Sequence, residues 1–163
     1  MKPSYEHVAK SESVSSFKQL VLTLPDFEPY WHYHPEYELT YIIHGSGKRI
    51  VGDSIEPFYP GDLVLLGPDL PHTWNSYRDK EDNRACRAVV FQFGANLVPG
   101  PAEAFPEFAD IRRLLENAGR GVWFQGRNAD ALGMKLSKKK KKKGLAKLSS
   151  FWLLLDELSK TAD

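Results

Sequence analysis

Two histidines and two glutamates stand within seven residues of the stretch WHYHPEYELTYIIHGSG, residues 31–47. Residues two apart in a strand point to the same face, so His32 and His34 can offer imidazole nitrogens to one ion. Glu38 has the same parity, but it lies about 13 Å beyond His34 on an unbroken strand with a rise of roughly 3.3 Å per residue. Ligand bonds are about 2.0 to 2.2 Å long. Pro35 removes a ladder donor and favours a bend, so we predict a metal site folded around this proline.

A fourth ligand is expected from a separate part of the chain. His72 ends the segment PGDLVLLGPDLPH, in which a turn, a short apolar run and a proline-rich loop would hold a histidine in place. Three histidines and one carboxylate suit zinc, nickel, iron, manganese or copper, and this ligand set does not choose among them. Glu36 is an alternative carboxylate, whereas His7 and His44 are expected at the surface. The competing interpretation of the stretch is an ordinary polar strand end with aromatic neighbours.

The elements that must position these residues are predicted to be strands. Between Phe17 and Phe93 the runs LVLTL, ELTYII, KRIV, SIEPF, DLVLL and RAVVFQF are separated by turn sequences such as HGSGK and YPGD. This punctuation predicts a β-barrel or sandwich. Pro57 and Pro60 indicate that the strand around Phe58 is short or lies at a sheet edge, because proline cannot donate to a ladder.

Helical periodicity follows the strands. The segments PEFADIRRLLENAG, RNADALGMKL and GLAKLSSFWLLLDELSKT predict three helices, with a short apolar segment at residues 122–124 before the second. The last helix carries an apolar stripe made of Leu148, Phe151, Leu155 and Leu158. Periodicity leaves two alternatives open for this stripe, which are packing on the protein's own core and a homodimer interface.

Composition restricts the class of protein. A chain of 163 residues with 42% hydrophobic residues has the size of one globular domain. We divide it into a polar leader (1–16), a barrel (17–98) and a helical region (99–163). The sequence has no signal-peptide pattern and no apolar run long enough to span a bilayer, and Cys86 is the single cysteine. A soluble, cytoplasmic protein that contacts no membrane is expected.

The charge of the chain is unevenly distributed. Six of the 22 basic residues form the run 138–143, so the remaining sequence carries 16 basic against 21 acidic residues. A mildly acidic body does not attract a phosphate backbone, and nucleic-acid binding by the body itself is not expected. The lysine run is interpreted as a solvated linker.

The two candidate ligand segments resemble the two motifs of the cupin superfamily. The spacing of His32, His34, Glu38 and Gly45 is similar to the first motif, and the segment from residue 61 to His72 is similar to the second. The resemblance implies a mainly β fold, a double-stranded β-helix or jelly-roll barrel, with metal ligands at His32, His34, Glu38 and His72. The chain departs from the motifs at three turn positions, which are occupied by Asp26, Gly67 and Asp69.

A narrower resemblance covers the barrel together with its helical tail. The segments WHYHPEYELTYIIHGSGKRIVGD, PGDLVLLGPDLPHTW and VVFQF, followed by helices, are similar to the N-terminal sensor domains of AraC-type transcription regulators. This resemblance implies a small polar organic effector, with a sugar as one candidate, and a homodimer formed through the helices. DNA would be bound only by a C-terminal domain with two helix-turn-helix units, which these 163 residues leave no room for.

Parity with the ligands suggests which side chains line a pocket. Thr40 and Ile42 follow Glu38 at the same parity, Trp74 follows His72, and Gln92 is a lone polar residue between two phenylalanines. Aromatic faces with a few polar groups suit a small organic ligand, although ordinary barrel packing explains these residues equally well. Two other classes of function are a stand-alone metal-dependent cupin enzyme, a dioxygenase or isomerase, and a storage or structural barrel. The helical tail favours the sensor, because an isolated enzyme barrel has no need of the apolar stripe.

Overall fold

Two five-stranded sheets face each other and three helices cover one of them in the computed structural model of the chain, which describes residues 2–8, 15–77, 84–98, 104–138 and 142–161. The protein is mainly β with C-terminal helices, as predicted. The predicted strand runs lie within observed strands, except that Asp62 of the run DLVLL precedes its strand. Within these ranges no helix is long and apolar enough to cross a membrane.

The first sheet has the strand order β1-β3-β8-β5-β6, and the second has the order β10-β7-β4-β9-β2. The strands are β1 (Ser4–Tyr5), β2 (Phe17–Leu24), β3 (His32–Tyr33), β4 (Tyr37–His44), β5 (Gly47–Val51), β6 (Ser54–Phe58), β7 (Leu63–Leu66), β8 (His72–Ser76), β9 (Cys86–Phe93) and β10 (Val122–Phe124). The helices are α1 (Ala109–Asn117), α2 (Arg127–Ser137) and α3 (Gly144–Ser159). Strand β6, which contains Pro57, lies at a sheet edge, as its proline predicts.

The chain crosses from one sheet to the other at Pro35. Strand β3 ends at Tyr33 in the first sheet, and β4 begins at Tyr37 in the second. The predicted interruption at the proline is therefore a change of sheet, which turns a straight spacing of about 13 Å into two sides of one enclosed space.

The second sheet uses its two faces differently. Its outer face packs against the helices in a single apolar core that contains Phe17, Phe91 and Phe93. Its inner face, with Leu20, Val90 and Gln92 from the same two strands, lines a cavity between the sheets. Alternation along β2 and β9 thus separates a helix-binding face from a cavity face.

The apolar stripe of α3 packs on the protein's own core and is not a dimer surface. Phe151 stacks on Phe17, with ring centroids 4.5 Å apart, and Leu155 and Leu158 are fully buried within the single chain. Leu148 is partly buried against the same cluster. Of the two alternatives left open for the stripe, packing on the protein's own core describes these residues, because the outer face of the second sheet and the other helices cover them.

Two short strands extend the sheets beyond the predicted barrel. Strand β1 comes from the segment predicted to be a polar leader and pairs in parallel with β3, with Ser4 opposite His32. Strand β10 is the short apolar segment noted between the first two predicted helices, and it pairs with β7, with Trp123 opposite Val64. Neither is long enough to show a period in the sequence, so only tertiary pairing identifies them.

The loop before His72 keeps a left-handed turn although the motif glycine is replaced. Asp69 has a φ of +57° and its backbone N–H donates to the carbonyl oxygen of His34 at 2.8 Å. Aspartate tolerates this conformation better than most residues, because its short polar side chain can bond locally. The departure from the motif at Asp69 therefore leaves the turn that carries His72 in place.

Candidate metal centre and cavity

The four predicted ligands meet between the two sheets. His32 and His72 are directly paired residues of β3 and β8, and His34 follows at the end of β3. One ring nitrogen from each histidine lies within 4.8 Å of the other two. Glu38, on β4 of the opposite sheet, places its Oε2 3.1 Å from His34 Nε2 and its Oε1 3.8 Å from His72 Nε2.

Backbone carbonyls determine which nitrogen of each ring faces the cluster. The Nδ1 atoms of His32, His34 and His72 lie 2.7, 3.2 and 2.8 Å from the carbonyl oxygens of Tyr30, Glu36 and Leu70. A carbonyl only accepts, so each Nδ1 carries the proton and donates it. A neutral ring then has a bare Nε2 lone pair, which is the form of histidine that binds a metal ion.

These lone pairs face carboxylate oxygens and not hydrogen-bond donors. His72 is almost completely buried, and its Nε2 has no hydrogen-bond partner among the described residues. Two acceptors that face each other need a cation between them. Protonating all three rings would place positive charges within 4.8 Å of one another, at a cost of roughly 3.5 kcal/mol per pair for an effective dielectric constant of about 20. One divalent metal ion satisfies the three nitrogens without that repulsion, so the donor set fits a transition metal.

The titration behaviour of the buried groups is consistent with this geometry. Burial disfavours the charge of Glu38, yet its hydrogen bond with His34 and the nearby His72 hold its pKa at about 2. Burial also opposes a charge on His34, but the hydrogen bond to Glu38 raises the pKa of that ring, whereas burial lowers the pKa of His72. A proton shared by His34 and Glu38 therefore explains the contact between these two side chains. It leaves the Nε2 lone pair of His72 without a cation.

Glu38 is held in place by its neighbours on the second sheet. The Thr40 hydroxyl donates to Oε1 at 2.8 Å, and the Gln92 amide donates to Oε2 at 3.1 Å. Gln92 reaches the carboxylate because it pairs directly with Glu38 across β4 and β9. Both side chains thus orient a charged metal-ligating oxygen and keep it ionised.

The cluster opens onto a cavity of about 360 Å³ between the two sheets. His32 and Glu38 belong both to the cluster and to the cavity wall, and the predicted pocket residues Thr40, Trp74 and Gln92 line the same space. The indole Nε1 of Trp74 is buried without a hydrogen-bond partner among the described residues, which leaves a donor for a bound molecule.

The remaining polar candidates lie outside the cluster. Glu36 faces the Nδ1 side of His34 at 3.6 Å, on the opposite edge of the ring from Glu38. His44 Nδ1 contacts the carbonyl oxygen of Ala85 at 3.1 Å, and the ring of His7 packs on Tyr5. Of the lysine run, residues 139–141 lie outside the described residues, so the interpretation of that run stays a prediction.

Sequence reasoning missed several residues of the site. The apolar wall comes from Leu20, Leu22 and Leu24 of β2 together with Ala88 and Val90 of β9. The three leucines of β2 share one face, but Phe17 and Val21 make the opposite face apolar too, so alternation could not indicate which face points inward. Glu6, the residue after β1, also lines the cavity and places its Oε2 3.4 Å from His32 Nε2; nothing in the sequence around it signals this role.

Comparison with known proteins finds one family model that is similar to the barrel. The family model described as the AraC-like ligand binding domain matches residues 22–92. No curated protein gives a significant match to the chain. The matched segment contains the four predicted ligands and the three predicted pocket residues.

Solved structures with a similar fold include ToxT from Vibrio cholerae. One ToxT structure has 13% sequence identity and a TM-score of 0.60, and the similarity covers 90% of this chain and 56% of that one. The unsaturated fatty acid bound form has 15% identity and a TM-score of 0.58, with 93% and 56% coverage. The chain thus spans just over half the length of these neighbours.

A putative mannose-6-phosphate isomerase from Ralstonia eutropha is also similar, with 14% identity, a TM-score of 0.43 and coverage of 49% of this chain and 76% of that one. A TM-score this low does not help to choose between a regulator and an enzyme. The match of the family model, the two facing sheets and the helical tail lead to one conclusion. Residues 22–92 of this chain match the AraC-like ligand binding domain, and the fold is mainly β, with two facing five-stranded sheets followed by helices.

Proposed function

We propose that the chain is the effector-sensing part of an AraC-type transcription regulator, and that its effector binds in the barrel cavity beside a metal ion. His32, His34, His72 and Glu38 would hold the ion, and Thr40, Trp74 and Gln92 would contact the effector. The ion would supply a positive centre at the inner end of the cavity, to which an oxygen or nitrogen atom of the effector can bind. The candidates for this ion are zinc, nickel, iron, manganese and copper, because the ligand set suits all of them.

The observation that carries this proposal is the position of β9 between the cavity and the last helix. Gln92 lines the cavity and bonds to Glu38, while its neighbours Phe91 and Phe93 point the other way and contact Phe151 of α3. The ring centroids of both pairs are 5.2 Å apart. A molecule that shifts β9 therefore acts directly on the packing of α3. An effector changes the state of the protein only if it binds two such arrangements with different affinity.

The effector is proposed to be a small polar organic molecule, and a sugar remains one candidate. Buried hydrogen-bond donors and acceptors lie at the end of the cavity next to the proposed metal site. They favour an effector with a polar group at that end, which supports a small polar organic molecule. The leucines of β2 and the residues Phe27 and Ile42 form an apolar wall, which also accommodates a hydrocarbon part.

A homodimer is proposed as the functional unit, through a different surface from the α3 stripe. Leu145 and Leu153 of α3 are 71% and 64% exposed, and Met134 of α2 is also exposed. Leu145 and Leu153 are eight residues apart and lie on the same side of the helix, opposite the buried stripe. This exposed face is the proposed contact with a second copy.

DNA binding is proposed to belong to a C-terminal domain with helix-turn-helix units that would follow residue 163. The proposal is supported by the resemblance to AraC-type regulators and by the coverage of 56% of the length of the ToxT chains. Reading the coding frame beyond residue 163 tests it directly. About a hundred further residues with two helix-turn-helix patterns would support the regulator, and a stop codon would refute it.

A stand-alone metal-dependent enzyme is the second candidate, because three histidines and one carboxylate leave coordination positions open on a six-coordinate metal. The two functions differ in what happens to a bound molecule. A sensor binds it unchanged, whereas an enzyme converts it.

The deciding experiment combines metal analysis with ligand screening. The purified protein and a His72→Ala variant are reconstituted with Zn²⁺, Ni²⁺, Mn²⁺ or Fe²⁺, and their metal content is measured. Sugars and other small polar molecules are then screened by thermal shift, and mixtures with hits are analysed for products. We expect the wild type to bind stoichiometric metal and the His72→Ala variant to bind none. Molecules that shift the melting temperature should do so only when the metal is bound, and they should be recovered unchanged. Their binding should also alter hydrogen exchange in α3, measured with and without the ligand. Absence of metal after reconstitution would refute the metal site, and turnover would favour the enzyme.

A further inference from the structure

The N-terminal strand β1 brings a second carboxylate to the histidine cluster. Glu6 Oε2 lies 3.4 Å from His32 Nε2, on a residue from the segment expected to be a polar leader. Its position is fixed by the backbone, since the Glu6 N–H donates to the Tyr33 carbonyl oxygen and the Ser4 N–H donates to the Trp31 carbonyl oxygen, both at 2.9 Å. Glu6 is therefore held beside His32 by parallel pairing of β1 with β3.

A neutral His32 ring cannot donate a hydrogen bond to Glu6. His32 Nδ1 is 2.7 Å from the Tyr30 carbonyl oxygen, which only accepts, so the single proton of the neutral ring is on Nδ1. The Nε2 lone pair then faces the lone pairs of the Glu6 carboxylate. A cation between the two atoms makes this contact attractive; a metal ion at the histidine cluster would supply it, as would a second proton on the ring.

The spacing is the one that two ligands of a single ion adopt. With ligand bonds of about 2.1 Å, neighbouring donor atoms in octahedral or tetrahedral geometry are about 3.0 to 3.4 Å apart. The distance from His34 Nε2 to Glu38 Oε2 is 3.1 Å, and the distance from His32 Nε2 to Glu6 Oε2 is 3.4 Å. Two carboxylates also neutralise a divalent ion, which favours its transfer from water into a largely buried site.

We propose that Glu6 is a fifth protein ligand of the metal ion, supplied by β1 in addition to His32, His34, Glu38 and His72. This inference rests on the proposed metal site. Five protein donors leave one position of a six-coordinate ion for a molecule in the cavity. Metal binding would also strengthen the attachment of β1 to β3, because the ion would join side chains from both strands.

The test compares Glu6→Gln with Glu28→Gln. Gln keeps the size of the side chain and removes the charge, and Glu28 lines the same cavity without an ion pair to His32, His34 or His72 among the described residues. Zn²⁺ and Ni²⁺ affinities are measured by competition with a chromophoric chelator, and hydrogen exchange of the Glu6 and Ser4 amides is followed with and without metal. We expect Glu6→Gln to weaken metal binding at least about 10-fold, Glu28→Gln to leave it within about twofold, and metal to slow exchange at both amides only where Glu6 is intact.

Equal metal affinity in wild type and Glu6→Gln, with equal slowing of exchange, would overturn the role of Glu6 and leave the four-ligand site standing. Equal losses in both variants would also overturn it, because they would indicate a general effect of cavity charge. A wild type that binds neither ion would overturn the proposed metal site and this inference together. Circular dichroism and metal-free melting temperatures of the variants establish that a loss of affinity is not a loss of fold.

Discussion

Replacing Glu38 by glutamine should abolish most of the stabilisation that a metal ion gives the fold. Glu38 is the buried carboxylate nearest His34 and His72, and a neutral amide of the same size is a poor metal ligand. Loss of a residue that merely supports a ligand weakens metal binding by about 10- to 100-fold, so loss of the ligand itself should cost about 100-fold or more.

The size of the effect follows from mass action. A free metal concentration of about 100 times the dissociation constant stabilises the wild type by about 2.7 kcal/mol. In a chain of 163 residues, each kcal/mol moves Tm by about 2 to 4 °C, so the expected shift is about 5 to 11 °C. At the same metal concentration a variant with about 100-fold weaker binding gains only about 0.4 kcal/mol, or a shift of about 1 to 2 °C.

The assay is a thermal melt of each protein with chelator and with metal, so that any folding defect of the variant appears in its metal-free Tm. Glu36→Gln is the matched control, because it removes the same charge two residues away on the Nδ1 side of His34. It should retain the full metal-induced shift. A Glu38→Gln protein whose metal-induced shift equals that of the wild type would refute the assignment of Glu38 as a ligand.

Four further substitutions test the packing of the helices. Phe151→Ala should lower the free energy of unfolding by about 3 to 5 kcal/mol in urea titrations, because loss of the ring leaves a cavity in the aromatic cluster around Phe17. A decrease below about 1 kcal/mol would contradict the observed burial. Leu153→Lys should convert a dimer to a folded monomer in sedimentation experiments, whereas Leu155→Lys should unfold the chain; a folded Leu155→Lys monomer would restore the stripe as an interface. Gly133→Ala should lower Tm although alanine favours helix, because its methyl group would lie 2.1 Å from the Tyr41 ring; an increase in Tm would show that α2 can shift away from β4.

Much of the architecture was predictable because it depends on local patterns. Alternating apolar runs identified the longer strands, and periodicity identified α1, α2 and α3 at nearly their observed bounds. Strands β1, β3 and β10 have two or three residues each, and so short a segment has no measurable period. Their pairing depends on which backbone groups the rest of the fold leaves open beside them.

The same distinction holds for the α3 stripe and for the pocket. The sequence indicated that Phe151, Leu155 and Leu158 need an apolar partner, but it contained no information on whether that partner belongs to the same chain. Gln92 was suspected only because it is polar among phenylalanines. Its hydrogen bond to Glu38 depends on the register of β4 and β9, which is set by the packing of whole strands and not by the residues around position 92.

For the metal centre, the sequence by itself determined the chemistry of the donors. The residue types at His32, His34, Glu38 and His72, their shared parity and the break at Pro35 were sufficient to predict a site that suits a divalent transition metal. Only the tertiary structure decided the direction of each ring, because the carbonyls that fix the Nδ1 protons come from loop backbone whose path has no local signal. It also decided that Glu6 lies beside His32. Parallel pairing of β1 with β3 joins distant parts of the chain through backbone hydrogen bonds, which do not depend on the identity of the side chains.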